Sequence, residues 1–292
     1  MFCGAVQAVE SDVVGYQNKA LDNGDFNWTC PSFKMVGGGT MTLGDLKVNE
    51  NYFASVLQFT SATGATKKFR LPLKGEDPNV NPTGEEVEGC FEYWALDWFD
   101  GETIVNADGY AAGWYLRDSD DKLYLMDALQ IPAGKGVMID CGDDDAALVF
   151  AGAVNKQDTP VDLDNGDFNW TGNCSPSDIT LADLTVNENY FASVLQFTSA
   201  TGATKKFRLP LKDEDPNVNP TGEEVEGCFE YWALDWFDGE TIVNADDYAA
   251  GWYLRDSSDN LYLMDALKIP AGSGFMIDCG DDDAQVVIPS AL

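Results

Sequence analysis

Short apolar runs, each bounded by turn residues, recur along the whole chain, and nearly all of them read as β-strands. Residues 52–60 are aromatic and β-branched and partly alternate. The turn-like residues 61–65 lead on into 67–73, which predicts a hairpin. Residues 90–99 predict a further strand, Asp100-Gly101 a turn, and 103–105 a short strand. Residues 113–117 and 122–126 flank the acidic turn 118–121, and 131–139 and 147–150 complete the set. No segment of about 12 residues holds a 3.6-residue period, so helical turns are expected only within 42–48 and 127–129. Strands at this spacing predict an all-β fold of jelly-roll-like β-sandwich type.

The pattern occurs twice. Residues 49–145 and 187–283 align without a gap at an offset of 138, with seven differences in 97 positions. Two tandem, near-identical β domains are therefore expected, the first over 9–154 and the second over 163–292, joined by a short polar linker at 155–162. The copies diverge most at their openings, where Cys30-Pro-Ser-Phe-Lys-Met-Val-Gly-Gly-Gly39 becomes the shorter Gly172-Asn-Cys-Ser-Pro-Ser177.

Composition narrows the chemistry. Fifty acidic residues against 17 basic ones give a formal net charge of −33. Such a chain repels nucleic acid and anionic membranes, so neither is expected as a partner. Histidine is absent, which excludes a Ser-His-Asp triad, a Cys-His pair and any His-ligated metal. No run of 18 apolar residues occurs, so no membrane-inserted helix is expected. Residues 1–8 are expected to be the remnant of a secretory signal, with Val6 and Ala8 at the small-residue positions before cleavage. The other reading of that segment is an ordinary exposed N-terminus. An extracellular or cell-surface location follows from the first reading.

After Cys3, the remaining six cysteines fall three per copy: Cys30, Cys90 and Cys141, then Cys174, Cys228 and Cys279. An odd number per copy means that full pairing needs a bridge between copies or between molecules. The expected pairs are Cys90–Cys141 and Cys228–Cys279, which leaves Cys30 and Cys174 to pair together or stay free. Buried reduced thiols are the alternative throughout. No CxxC spacing occurs, which argues against a thiolate zinc site.

Several landmarks resemble a group of secreted, repeat-containing bacterial proteins of unknown function. They are Asp12-Val-Val-Gly-Tyr16, Val36-Gly-Gly-Gly39 with Leu43-Gly-Asp-Leu46, residues 173–184, and the Ile-Pro-Ala-Gly-x-Gly-[Val/Phe] turns at 131–137 and 269–275. The resemblance implies a secreted, two-module, all-β protein. It implies no activity and transfers no catalytic residue.

Two kinds of side-chain cluster are candidates for function. Asp118, Asp120 and Asp121, and the runs Asp143, Asp144, Asp145 and Asp281, Asp282, Asp283, are candidate calcium ligands. Calcium takes about six to eight oxygens, which acidic loops can supply. None of the runs has EF-hand spacing, and a solvated charged loop is the competing reading. No organic cofactor is expected. The second cluster is aromatic. Alternation along 93–99 places Tyr93 and Phe99 on one face and Trp94 and Trp98 on the other, recurring as Tyr231 and Phe237 against Trp232 and Trp236. One face is core. The other either stacks on sugar rings or a neighbouring subunit, or lies buried beneath a loop. Carboxylates beside aromatics also fit a glycosidase, but 50 acids supply such pairs by chance.

Taken together, the sequence favours a secreted, non-enzymatic structural protein whose partner is itself, assembled into a filament, sheath or surface layer through sheet edges and repeated copy-to-copy contacts. The alternative is a bivalent carbohydrate- or surface-binding protein.

Overall fold

The computed structural model describes residues 14–21, 26–34, 39–48, 56–58, 68–88, 90–140, 147–163, 169–187, 194–196, 206–226, 228–237, 239–278 and 284–290. Over these residues the protein is all-β, with antiparallel sheets and helical structure confined to three-residue 3-10 turns.

In the first half, a six-stranded sheet runs in the order Leu123–Leu125, Gly113–Arg117, Cys90–Trp94, Val56–Gln58, Val137–Asp140, Phe26–Thr29. A second sheet joins Ala147–Val154 to Val14–Ala20, Phe33–Lys34 and Lys47–Val48. Leu148 and Phe150 of the second sheet share one buried cluster with Phe91, Trp114, Leu116 and Ile139 of the first, so the two sheets pack as a sandwich. Each large apolar side chain buried there contributes about 1.5–3 kcal/mol.

The second half repeats this arrangement. Its six-stranded sheet runs Asn169–Gly172, Gly274–Asp278, Val194–Gln196, Cys228–Trp232, Gly251–Arg255, Leu261–Leu263. Its smaller sheet joins Ala284–Ile288 to Thr159–Leu163 and Thr185–Val186, over a core of its own. The first half alone has the strand Phe33–Lys34, which lies in its four-residue-longer opening.

Several local expectations are corrected. Half of the segment expected as linker is not linker: Thr159–Leu163 is a strand paired with Ala284–Ile288, and the join shrinks to 155–158. Pro160 is tolerated because that strand lies at the edge of its sheet. The hairpin expected between 52–60 and 67–73 is not the pairing found. Val56–Gln58 lies between Val137–Asp140 and Cys90–Trp94, while Lys68–Arg70 pairs with Glu86–Glu88. That register sets Lys68 opposite Glu88 and Arg70 opposite Glu86, so cross-strand charges favour it. The helical turn within 42–48 is present at Leu43–Asp45, capped by Thr42 and Asp45, whereas 127–129 forms only a turn.

The two halves meet through reciprocal contacts. Trp28 and Trp170 stack with ring centroids 3.6 Å apart and planes 8° apart. The Thr29 hydroxyl donates to the Gly272 carbonyl at 2.8 Å, and the Thr171 hydroxyl donates to the Gly134 carbonyl at 2.7 Å. The Ile-Pro-Ala-Gly-x-Gly turn of each half therefore docks on the Asn-Trp-Thr strand of the other. Glycine is required at this contact. A Cβ on Gly136 would stand 2.3 Å from the Thr171 carbonyl oxygen, and one on Gly274 would stand 2.8 Å from the Thr29 nitrogen. Asn27-Trp-Thr29 and Asn169-Trp-Thr171, which both match the Asn-x-Ser/Thr pattern of a glycosylation acceptor, are thus junction strands. The buried Asn169 side chain and Thr171 hydroxyl leave no room for a glycan at the second. Three of the seven differences between copies, at 130/268, 135/273 and 137/275, lie in or beside these turns.

Candidate functional site

The strand Cys90–Trp94 ends where a 3-10 turn, Leu96–Trp98, begins, with the Trp98 N–H donating to the Ala95 carbonyl at 3.1 Å. This turn breaks the alternation assumed along 93–99. Tyr93 points into the core and meets Trp114 edge-on at 5.4 Å. Phe99 is not on that face. It folds back on the opposite side and packs against Trp94 at 5.3 Å, Tyr110 at 5.1 Å and Tyr115 at 5.5 Å. The outer face of Gly113–Arg117 is thereby covered, which is why that strand is buried on both sides.

A charged frame fixes the stack. The Trp94 indole N–H donates to Glu92 Oε2 at 2.9 Å, and the Arg117 guanidinium lies 5.7 Å from the Trp94 ring centre. Arg117 also pairs with Glu92 at 3.0 Å and Glu102 at 3.6 Å. The Glu92 hydrogen bond, outweighing partial burial, pushes the Arg117 pKa further up. Copy two reproduces the frame with Trp232, Glu230, Arg255 and Glu240. The buried Tyr115 and Tyr253 phenols donate to the Ala111 and Ala249 carbonyls at 2.6 Å. Burial, reinforced by Asp127 and Asp265, pushes both phenols up to about 12, so they remain protonated donors.

Over this fixed backing the predicted aromatic residues divide. Trp94 and Trp232 are half-buried framework, whereas Trp98 and Trp236 are 43% and 45% exposed. Leu96 and Tyr110, with Leu234 and Tyr248, are also exposed and were not singled out in the sequence. The hydroxyls of Tyr110 and Tyr248 donate to the Glu102 and Glu240 carbonyls at 3.2 and 3.0 Å. In copy two a shallow cavity of about 260 Å³ adjoins Tyr248, lined also by Thr241, Ile242, Asp246 and Asp247. Asp247 stands where copy one has Gly109, another of the seven differences.

The acidic candidates separate. Asp118 Oδ1 accepts the N–H groups of Asp120 and Lys122, each at 2.9 Å, and Oδ2 accepts the Tyr124 hydroxyl at 3.1 Å. Asp120 pairs with Lys122 at 3.1 Å, and Asp121, at φ 62°, lies 3.9 Å from Arg117. These carboxylates build the hairpin rather than converge on one point. Among the described residues no group of three or more acidic or cysteine side chains is disposed to hold a metal ion. Asp143, Asp144, Asp145, Asp281, Asp282 and Asp283 lie outside the described residues.

Of the cysteines, Cys30 and Cys174 are buried thiols. Cys90 and Cys228 open their strands, and Cys141 and Cys279 lie outside the described residues, so the expected pairs within copies fall there too.

No family model, curated protein or solved structure matches this chain.

Proposed function

We propose that the chain is a bivalent, non-enzymatic carbohydrate-binding protein acting at an extracellular surface, with one site around Trp98 and Tyr110 and the other around Trp236 and Tyr248. The observation that carries this reading is an exposed tryptophan, at an equivalent place in each copy, on a short turn backed by a fixed aromatic and ionic frame. An exposed indole carried on such a turn presents a flat apolar face on which the apolar face of a sugar ring can stack. The carboxylates beside Tyr248 supply acceptors for sugar hydroxyls. Two such sites on one body convert weak single contacts into avidity gains of about 10²–10⁴-fold on a multivalent surface.

The test is a glycan array probed with the full chain, with calcium and with a chelator. Binding is expected, and Trp98→Ala combined with Trp236→Ala is expected to abolish it without changing the circular dichroism spectrum. A blank array, or unchanged binding by the double variant, overturns the reading. Loss of signal in chelator would assign calcium to the site.

Self-assembly is the second reading. The contact between copies is reciprocal and closed, so it offers no repeating head-to-tail joint. The strand Val14–Ala20 favours assembly instead. Among the described residues it is paired along one side only, by Ala147–Val154, and it exposes Val14 and Tyr16. Light scattering at rising concentration, with and without calcium, tests it, and a persistent monomer sinks it.

A further inference from the structure

Cys30 and Cys174 come from opposite halves and meet at the junction, where both belong to one buried cluster. Cys30 is fixed by its N–H, which donates to the Gly272 carbonyl at 2.9 Å, and its sulfur lies 3.6 Å from the Lys135 carbonyl oxygen. The residue equivalent to Cys30 in the second half is Gly172, where an added Cβ would stand 2.5 Å from the Cys30 Cβ. Glycine there makes room, and the second cysteine stands two residues later, against the first. Cys30 is wholly buried, whereas Cys174 is 5% exposed and lines a junction cavity of about 350 Å³ with Pro31, Ser32, Met41, Pro132 and Thr159. The Ser32 hydroxyl is buried with no protein hydrogen-bond partner, so this cavity also carries an unsatisfied polar group.

We propose that Cys30 and Cys174 are a redox-active pair that closes a disulfide between the two halves when a small organic disulfide enters the junction cavity. The Cys174 thiolate attacks one sulfur of the incoming disulfide, a mixed disulfide forms, and the first organic thiolate leaves. Cys30 then gives up its proton, and its sulfur attacks Cys174. The Cys30–Cys174 bond forms as the mixed bond breaks and the second organic thiolate leaves. The two cysteine protons end on the two organic thiols, and the two electrons reduce the small disulfide. The roles follow from the surroundings. The hydrogen bond from Cys30 holds the Cys174 thiol down to about 7 against the opposing effect of burial, with help from the Thr159 hydroxyl and the Cys174 and Gly134 backbone. Burial, then the Cys174 partner, pushes Cys30 well up. The thiolate therefore resides on the sulfur that lines the cavity. The proposal is independent of what binds at the aromatic sites.

The experiment treats the full chain with 2-hydroxyethyl disulfide, blocks remaining thiols by alkylation, and maps tryptic peptides without reduction. Peptides 20–34 and 157–205 contain Cys30 and Cys174 as their only cysteines, and they are expected to appear joined. Finding both alkylated, or each joined to another cysteine, overturns the proposal. Two variants test the order of attack. Cys30→Ser is expected to accumulate the hydroxyethyl adduct on Cys174, and Cys174→Ser to leave Cys30 unmodified. Equal modification of Cys30 in the Cys174→Ser variant overturns the assigned roles.

Discussion

Asp118 shows how a residue that looks like a ligand can be structural. Its two oxygens are engaged by two backbone N–H groups and a tyrosine hydroxyl, and Asp256 does the same in copy two. Burial opposes ionisation at Asp118, but these hydrogen bonds outweigh it and hold its carboxyl below the ordinary range. Asp118→Ala leaves those donors without their acceptor and should destabilise the protein by about 1–3 kcal/mol in urea titration. Glycines divide by surroundings in the same way. Gly101, at φ 80°, has open space around it, while Gly136 lies against the backbone of the other half. Gly136→Ala should destabilise by about 3 kcal/mol through overpacking. Gly101→Ala should lose only about 1 kcal/mol, through backbone strain alone. Thermal unfolding of the two variants side by side checks this contrast.

At the scale of elements, the junction is built from one strand and one turn of each half, used reciprocally. Its central contact is the Trp28–Trp170 stack, and the pair packs with Met276 in a small cluster apart from the two main cores. Trp28→Ala should therefore weaken coupling between the halves more than it weakens either core. The expected loss is about 2 kcal/mol or more, and the single unfolding transition should broaden or split in calorimetry. The strand alternation is as legible in sequence as the turn chemistry, but the partner of each strand is not. Lys68–Arg70 chose Glu86–Glu88 over its nearer neighbour because the register there matches charge against charge. The 3-10 turn at Leu96–Trp98 was hidden for a related reason. Leu96 and Trp98 look like strand residues, and only the packing of Phe99 against Trp94 shows the reversal.

For the whole molecule, charge dominates the response to solvent. At least nine of the 17 basic residues form ion pairs, several of them exposed, which leaves most of the acidic excess uncompensated. Raising salt shortens the screening length from about 30 Å at 0.01 M to about 8 Å at 0.15 M, so Tm should rise over that range in a differential scanning measurement. The pH response has two limbs. Burial raises the folded-state pKa of Asp127 and Asp265, whose carboxylates accept the Trp114 and Trp252 N–H groups. A raised carboxyl favours the folded state below its unfolded pKa and loses that contribution as pH rises through the folded pKa. Asp118, Asp256, Glu76 and Glu214 are lowered, so their contribution is present above the unfolded pKa and is lost as pH falls through the folded one. Stability should therefore rise as pH falls from neutral towards the raised pKa values of Asp127 and Asp265. It should fall again below the ordinary carboxylate range. Urea midpoints across that interval test both limbs.

The sequence by itself determined that the chain is all-β, that it is written twice, and that its chemistry excludes histidine. Those properties are local or compositional: a period of two, turn residues at intervals, and residues counted. It also singled out Trp98, Trp236, Cys30 and Cys174, because residue type alone marks an aromatic or a thiol. Only the tertiary structure decided that Trp94 is framework while Trp98 is exposed, since that depends on a turn folding back over a neighbouring strand. Only the tertiary structure brought Cys30 beside Cys174, across 144 positions of chain. That approach depends on glycines at 136, 172 and 274, where a single added carbon would hold the two halves apart.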